Sequence, residues 1–224
     1  MDVILFGASG MVGQGVLREC QLDPEVHRVL SIGRTVTGQQ HAKLAEMVRA
    51  DLYDYSDIEG DLASYDACFF CLGASAAGKT EAEYRRITYD LTMAAATTLA
   101  RLNPGMTFIY VSGSGTDSSE QGRVMWARVK GATENAILRL PFKDAYMFRP
   151  AAILPMHGES SKTKLYRVAY AIARPLLPLL LRLFPNYFTT TEILGQTMLD
   201  VARNGAPSPI LEPASLRIAK RNTF

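Results

Sequence analysis

The 224-residue chain is poor in cysteine, histidine and tryptophan, with three, three and one of each. Three thiols are an odd number and too few to staple a small fold, so a disulfide scaffold is excluded. Neither sign of charge dominates: 24 Lys+Arg face 22 Asp+Glu, for a formal net charge of +2. That balance gives no electrostatic case for nucleic-acid binding. No basic start followed by an apolar stretch and a small-residue cleavage site is present, so no secretory signal is read and a cytoplasmic location is expected. Hydrophobic residues make up 48% and charged residues 21%, which excludes a disordered, collagen-like or coiled-coil chain. A prior of about 150 residues per domain gives roughly one and a half domains, enough to bury a core without staples.

Long uncharged apolar runs are also missing. Leu165–Phe184 comes nearest, but Arg167, Arg174 and Arg182 interrupt it and Pro175 and Pro178 break or kink it. A spanning helix needs about 20 nearly uncharged residues, so no transmembrane segment is expected. Arg167 and Arg174 share a helical face, with Arg182 roughly on that side if the helix continues past the prolines. The segment reads as a helix pair packed on the rest as a substrate lid or a homodimer surface. Contact of its basic face with anionic lipid is the alternative.

What is present is an alternation of apolar strand-length runs with helix-like stretches. Val3–Phe6 precedes Met11–Leu22, and Val29–Ile32 precedes the polar Arg34–Lys43. A short strand is expected near Glu46–Ala50. The apolar run Ala67–Leu72 leads into a long helix over Glu81–Leu102, which Asn103-Pro104-Gly105 stops. Phe108–Val111, a helix over Val124–Leu140 and a strand at Ala145–Phe148 follow. Such alternation argues for an α/β fold with a parallel, doubly wound sheet. All-apolar strands such as the one holding Cys68 and Cys71 suit a sheet covered on both faces. Beyond Arg149-Pro150 the chain turns Leu-, Pro- and Arg-rich and the rhythm fades. Residues 1–154 are therefore expected to form the sheet domain, and 155–224 a small C-terminal helical lobe packed on it as one compact unit. Within that lobe Thr189 or Thr190 caps a helix over Ile193–Ala202.

Gly7, Gly10 and Gly13 follow the first strand and open the first helix. At that junction the three glycines permit a tight turn, close approach of a pyrophosphate and close helix–strand packing, and the helix N-terminus favours phosphate. The fold is thus expected to be Rossmann-like and to bind a dinucleotide. After the second strand, where an NAD site usually carries an acid on the ribose hydroxyl, the chain has Gly33-Arg34. A guanidinium suits the 2′-phosphate of NADP, so NADP is expected, with NAD as the alternative. Asp51, after the third strand, falls where adenine would lie, or is a plain turn residue.

A second phosphate-loop pattern, Gly73 to Thr80 with Gly78-Lys79-Thr80, fits a Walker A loop in full and keeps a nucleotide triphosphatase as a minor alternative. It sits on the fourth strand, and no later apolar run ends in a magnesium-holding Asp: Phe108–Val111 ends in Ser112, and Ala145–Phe148 in Arg149. Cys68 and Cys71 point to opposite faces of a strand, so they read as buried structural residues, and no metal site is expected. His157 reads as a solvated loop residue.

These residues together carry a resemblance. Gly7–Gly13, Gly33-Arg34, Asp51-Leu52, Cys71-Leu72-Gly73, Tyr110-Val111-Ser112, Lys130-Gly131 and Phe148-Arg149-Pro150 resemble the atypical short-chain dehydrogenase/reductases of epimerase/dehydratase type. The likeness is nearest to the Tat-interacting oxidoreductase-like and NmrA-like branch and covers about residues 1–155. The resemblance implies cofactor contacts from Gly7, Ser9, Gly10, Met11, Val12, Gly13, Arg34, Asp51, Leu52, Cys71, Leu72, Gly73, Lys130 and Pro150. The family's Ser–Tyr–Lys set places its lysine at Lys130, but Trp126 stands where the tyrosine belongs, and an indole N–H is no proton acid near neutral pH. Gly113 falls on the serine position, leaving Ser112 and Ser114 as neighbours and Lys130, Ser112 and Ser114 as the catalytic candidates. Two readings follow. One is an NADPH-dependent reductase of a small carbonyl or quinone-like substrate with another proton source: Ser112, Ser114, a nearby tyrosine or water. The other is a non-catalytic module that binds NADP and signals its state to a partner.

Overall fold

The computed structural model describes residues 1–158 and 187–216. Leu165–Phe184, with the lid, dimer and lipid readings attached to it, lies outside the described residues. Seven strands form one sheet: β1 Asp2–Phe6, β2 Arg28–Gly33, β3 Leu44–Val48, β4 Ala67–Phe70, β5 Thr107–Val111, β6 Asp144–Phe148 and, last, Ile210–Leu211, labelled β9. Their spatial order is β3-β2-β1-β4-β5-β6-β9, and every pairing is parallel. The first six follow the doubly wound dinucleotide order, with its switch point between β1 and β4. The helices are α1 Met11–Leu22, the single turn α2 Glu59–Leu62, α3 Glu81–Arg85, α4 Leu91–Leu102, α5 Met125–Ile137 and α6 Thr191–Asn204. A separate two-stranded pair joins β7 Ala152–Leu154 to β8 Phe188–Thr190.

Alternate side chains of each strand feed opposite faces, and both faces are filled. Val3 and Leu5 of β1 join Phe69, Ile109 and Phe148 under α1 and α6. Ile4 and Phe6 join Phe70, Phe108 and Tyr110 under α4 and α5. Cys68 belongs to the second cluster while Cys71 packs against the first, and both are free thiols. That is the opposite-face placement expected for a structural pair.

The long helix over Glu81–Leu102 is continuous, but Arg86–Asp90 forms a π turn between α3 and α4. Three expectations need correction. Arg34–Lys43 is not helical; β2 returns to β3 through an irregular crossover in which Gly38 has φ +76°. The third strand lies at Leu44–Val48, earlier than Glu46–Ala50, because its position comes from pairing Val29 with Leu44 and Gly33 with Val48; as an edge strand it has no buried residue to announce it. Finally, the strand–helix alternation does not end at Pro150. α6, capped by the Thr190 hydroxyl on the Ile193 amide, packs along α1, and β9 extends the sheet beside β6. Those strands are two or three residues long, too short for an apolar pattern to mark them.

Candidate functional site

At the β1–α1 junction each glycine has a different physical reason. Gly7 holds φ +82°, and a Cβ there would lie 2.9 Å from the backbone of Cys71 and Leu72 at the end of β4. A Cβ on Gly13 would stand 2.1 Å from the Gly7 carbonyl oxygen, so only glycine lets α1 start this close to the strand. Gly10 is the N-cap of α1 and supplies no side-chain cap, whereas α3 and α6 have theirs from Thr80 and Thr190. The first amides of α1, which also has no acidic residue in its first turn, therefore face the carboxyl end of the sheet without a side-chain partner. This is the arrangement that takes an anion.

Around that opening the structure gathers most of the residues singled out in the sequence. Thr35 donates its hydroxyl to Ser9 Oγ at 3.1 Å, which ties the loop carrying Arg34 to the glycine loop. Arg34 is exposed and makes no hydrogen bond or ion pair among the described residues. Leu72 and Cys71 flank Gly7 from β4, and Gly73 beyond them has open space where a side chain would be. Met11 and Val12 are half-buried at the helix start. Leu52 is 2% exposed, with its side chain in the core, and Asp51 spends one carboxylate oxygen on the Tyr53 amide at 2.7 Å. Asp51 thus has the turn role weighed against the adenine role.

The other half of the site lies past β5. Ser112 donates its amide to the Phe148 carbonyl at 2.7 Å and Ser114 donates its amide to the Pro150 carbonyl at 2.9 Å, which brings Ser112, Ser114 and Pro150 together. The Ser112 hydroxyl is shared with Thr116 Oγ1 at 3.1 Å, and Thr116 donates to the Gly113 carbonyl; Ser114 is exposed. Trp126 and Lys130 sit one turn apart on α5. The Trp126 ring edge packs 3.6 Å from where Gly115 would carry a Cβ. Lys130 Nζ lies 5.3 Å from the centroid of the buried Tyr110 ring and makes no hydrogen bond or ion pair among the described residues. Burial lowers its ammonium from the ordinary lysine value to about 8, with Glu134 one turn further opposing the shift. Gly131 is glycine for a different reason: a Cβ there would strike the Asp117 carbonyl oxygen of the loop that crosses α5.

Sequence reasoning missed the group that braces this corner. Glu134 is fully buried and Arg149 is 7% exposed. The Arg149 guanidinium donates to both oxygens of Glu134, to Glu212 at 3.0 Å and to Ser118 Oγ at 2.6 Å. One side chain thereby joins β6, α5, the β5–α5 loop and the chain after β9. The pairing of an arginine before Pro150 with an acid four residues after Lys130 was the signal available. His157, read as solvated, instead meets the Glu192 carboxylate at 2.9 Å, and that contact holds the Glu192 carboxyl below its ordinary range.

In the Walker-like loop the hydroxyl at the metal position is part of a helix cap. Thr80, which would hold magnesium, accepts from the Glu83 amide and donates to its carboxylate as a capping box, while Ala76 to Lys79 form a turn before the helix. Among the described residues no group of three or more His, Cys, Asp or Glu could hold a metal, and no helix is long and apolar enough to cross a membrane.

The family model described as the NAD dependent epimerase/dehydratase family matches residues 3–122. Among curated relatives, "Protein FMP52, mitochondrial" of Candida albicans is 24% identical over 71% of this chain and 70% of its own length. Its namesake in Emericella nidulans is 29% identical over 77% and 73%, and that in Saccharomyces cerevisiae 27% over 73% and 69%. These mitochondrial names overturn the cytoplasmic expectation: lack of a secretory pattern speaks only against secretion, and a fold carries no address. Among solved structures, UDP-N-acetylglucosamine 4-epimerase from Methanobrevibacter ruminantium superposes with a TM-score of 0.70 at 15% identity, covering 94% of this chain and 75% of that one. DesIV, a dTDP-glucose 4,6-dehydratase from Streptomyces venezuelae solved with NAD bound, gives 0.66 at 14% identity over 94% and 74%. A short-chain dehydrogenase/reductase-family oxidoreductase from Burkholderia thailandensis gives 0.66 at 14% over 94% and 89%.

Proposed function

The chain belongs to the NAD dependent epimerase/dehydratase family, and from that premise we propose that it is an NADP(H)-dependent oxidoreductase acting on a small carbonyl or quinone-like molecule. The observation that carries the cofactor half is the uncapped start of α1 at Gly10, framed by Gly7 and Gly13 and bordered by the unpartnered Arg34. The α1 amides hold the pyrophosphate there, and Arg34, beside Ser9 and Thr35, takes the 2′-phosphate. Gly73 leaves room for the nicotinamide ribose, and the Lys130 ammonium, with no hydrogen-bond partner among the described residues, supplies donors to it. When bound, the cofactor supplies a hydride. The chain's own work is to fix the dinucleotide across the β1–β4 switch point, to bring the substrate carbonyl to the Ser112–Ser114 corner and to exclude water there.

A second reading is supported by the state of the Ser112 hydroxyl. That hydroxyl is engaged with Thr116, and the resemblance places Trp126 where a titrating tyrosine would stand, an arrangement that also suits a module that binds NADP without turning over a substrate. Trp126 is the sole tryptophan of the chain and sits at this corner, so its emission reports cofactor binding directly. NADPH should quench it saturably, and a panel of carbonyls, quinones and flavins should include one that oxidises bound NADPH. Turnover lost in Lys130→Ala sinks the non-catalytic reading. Saturable binding with no turnover across the panel sinks the oxidoreductase reading, and no binding sinks both.

A further inference from the structure

Among the described residues of the β5–α5 corner, the other groups that could give a proton are engaged or held in one protonation state. The indole of Trp126 cannot supply a proton near neutral pH, and hydroxyls do so only with a base to drive them. The Ser112 hydroxyl is held by Thr116. Tyr110 is 1% exposed and Tyr84 is 2% exposed, and burial pushes both phenols up. Burial likewise pushes up the Cys71 thiol, and Asp117 is held as a carboxylate by hydrogen bonds from Ser119 and Gly122. Lys130 differs from all of these. Its Nζ projects over the Tyr110 ring one residue from the end of β5, with no hydrogen bond or ion pair among the described residues to fix its protons.

We propose that Lys130 is itself the acid and base of the reaction, passing a proton from Nζ to the substrate oxygen in place of the tyrosine that Trp126 displaces. The inference rests on the oxidoreductase reading above. In the reducing direction the carbonyl carbon accepts a hydride from the dihydronicotinamide of NADPH and the C=O π pair moves onto oxygen. That pair takes a proton from the Lys130 ammonium, whose N–H electrons remain on nitrogen, and water reprotonates the amine. Net, a carbonyl becomes an alcohol, NADPH becomes NADP⁺, and one proton is consumed.

The surroundings suit this role. Glu134 is the charged group that acts on Lys130, and its carboxylate is occupied by Arg149 of β6, so it favours the ammonium without taking its protons. Among the described residues, the other titratable groups on elements packed against α5 are spoken for or remote, Glu83 of α3 being bonded to Thr80. Glu81 of α3 is paired with Arg128, Arg86 lies over Tyr53 and Arg85 over Tyr89, and Asp90 is exposed. Burial makes this ammonium lose its proton more easily than a solvated one, although the Tyr110 ring face favours the cation, and its value near 8 lies where a general acid is effective.

The test has two arms on the full-length protein. In the first, lysines are reductively methylated with ¹³C-formaldehyde and titrated by NMR without cofactor, the Lys130 signal being the one absent from Lys130→Arg. A midpoint near 8 is expected, and a midpoint above about 10, the ordinary lysine value, overturns the inference. In the second, NADPH-dependent reduction of 9,10-phenanthrenequinone is compared between the parent chain and Lys130→Arg, which keeps charge and donors but cannot release a proton. A kcat loss of about 100-fold is expected, with the NADPH Kd changed less than about threefold; undiminished reduction overturns the inference. If Lys130→Arg fails to fold, Lys130→Met, which removes the buried charge, assigns the Lys130 signal in its place. No NADPH binding by the parent chain overturns the function proposed above, whereas binding with an ordinary Lys130 titration overturns only this inference.

Discussion

Arg34 and Lys130 are two cations of the proposed cofactor site, and they differ in surroundings. Arg34 is exposed and has no partner among the described residues, so removing it should leave the fold unchanged and register only when a phosphate is present. Arg34→Ala is therefore expected to weaken NADPH about tenfold or more, on the scale of one charge-assisted contact, while NADH binding stays within about twofold. Isothermal titration with both dinucleotides measures the difference, and equal losses refute the phosphate role. Lys130 is half-buried, and its ammonium is lowered from 10.5 to about 8. A depressed lysine value means the unfolded chain holds the proton more firmly than the folded one. The cost to the fold is fully present below pH 8 and disappears as pH rises toward 10.5. Lys130→Met should accordingly raise stability by about 1–3 kcal/mol at pH 7, and the gain should vanish by pH 10.5. Urea melts across that range would show a flat difference if the lysine were instead well solvated.

At the level of elements, the parallel α1–α6 pair shows how small residues set the geometry. A Cβ on Gly15 would lie 2.4 Å from Thr191 Cβ, and one on Gly195 would lie 2.8 Å from Glu19 Cγ. The two helices thus touch backbone to backbone, and Gln196 donates across the seam to Glu19 at 3.1 Å. In an isolated helix Gly→Ala gains about 1 kcal/mol. At Gly15 the expected result is opposite in sign, a net loss of about 1–3 kcal/mol from overpacking. Gly60, on α2 with open space around it, is the control and should gain. Thermal melts of Gly15→Ala and Gly60→Ala moving the same way would contradict this packing account. The same seam holds the glycine loop in place, because α1 is gripped by β1 through Gly13 and by α6 through Gly15.

Across the whole molecule, Arg149 is the side chain on which most parts converge. It bonds Glu134, Glu212 and Ser118, so the last strand of the first six, the lysine-bearing helix and the C-terminal segment share one buried charge network. Breaking a buried pair by removing one partner costs about 3–5 kcal/mol, because the remaining charge is left uncompensated. Arg149→Met should cost that much, and Arg149→Met with Glu134→Gln should recover part of it. A denaturant series in which the double variant is no more stable than the single one would show that the acid is not the stranded partner. The expected loss is global, since β9 and α6 share the core cluster under α1 with β1, β4, β5 and β6.

Much of this was legible in the chain itself. The strands Val3–Phe6 and Ala67–Phe70 and the helix Met11–Leu22 follow from apolar runs and glycine spacing, because a sheet buried on both faces demands unbroken hydrophobicity and a tight β–α turn demands glycine. The close approach at Gly7 and Gly13 and the placing of Lys130 one turn after Trp126 on a helix are likewise linear patterns. Tertiary structure alone decided the rest. β9 and β8 are too short to carry a pattern, β3 takes its register from β2, and the Thr80 hydroxyl of a complete phosphate-loop motif proved to be bonded to Glu83. The Arg149–Glu134–Glu212 network joins residues far apart in the chain, and the lowered proton affinity of Lys130 comes from what is packed around it. Periodicity records which face of an element is buried; which charges meet, and which are left without a partner, depends on distances that only the folded chain sets.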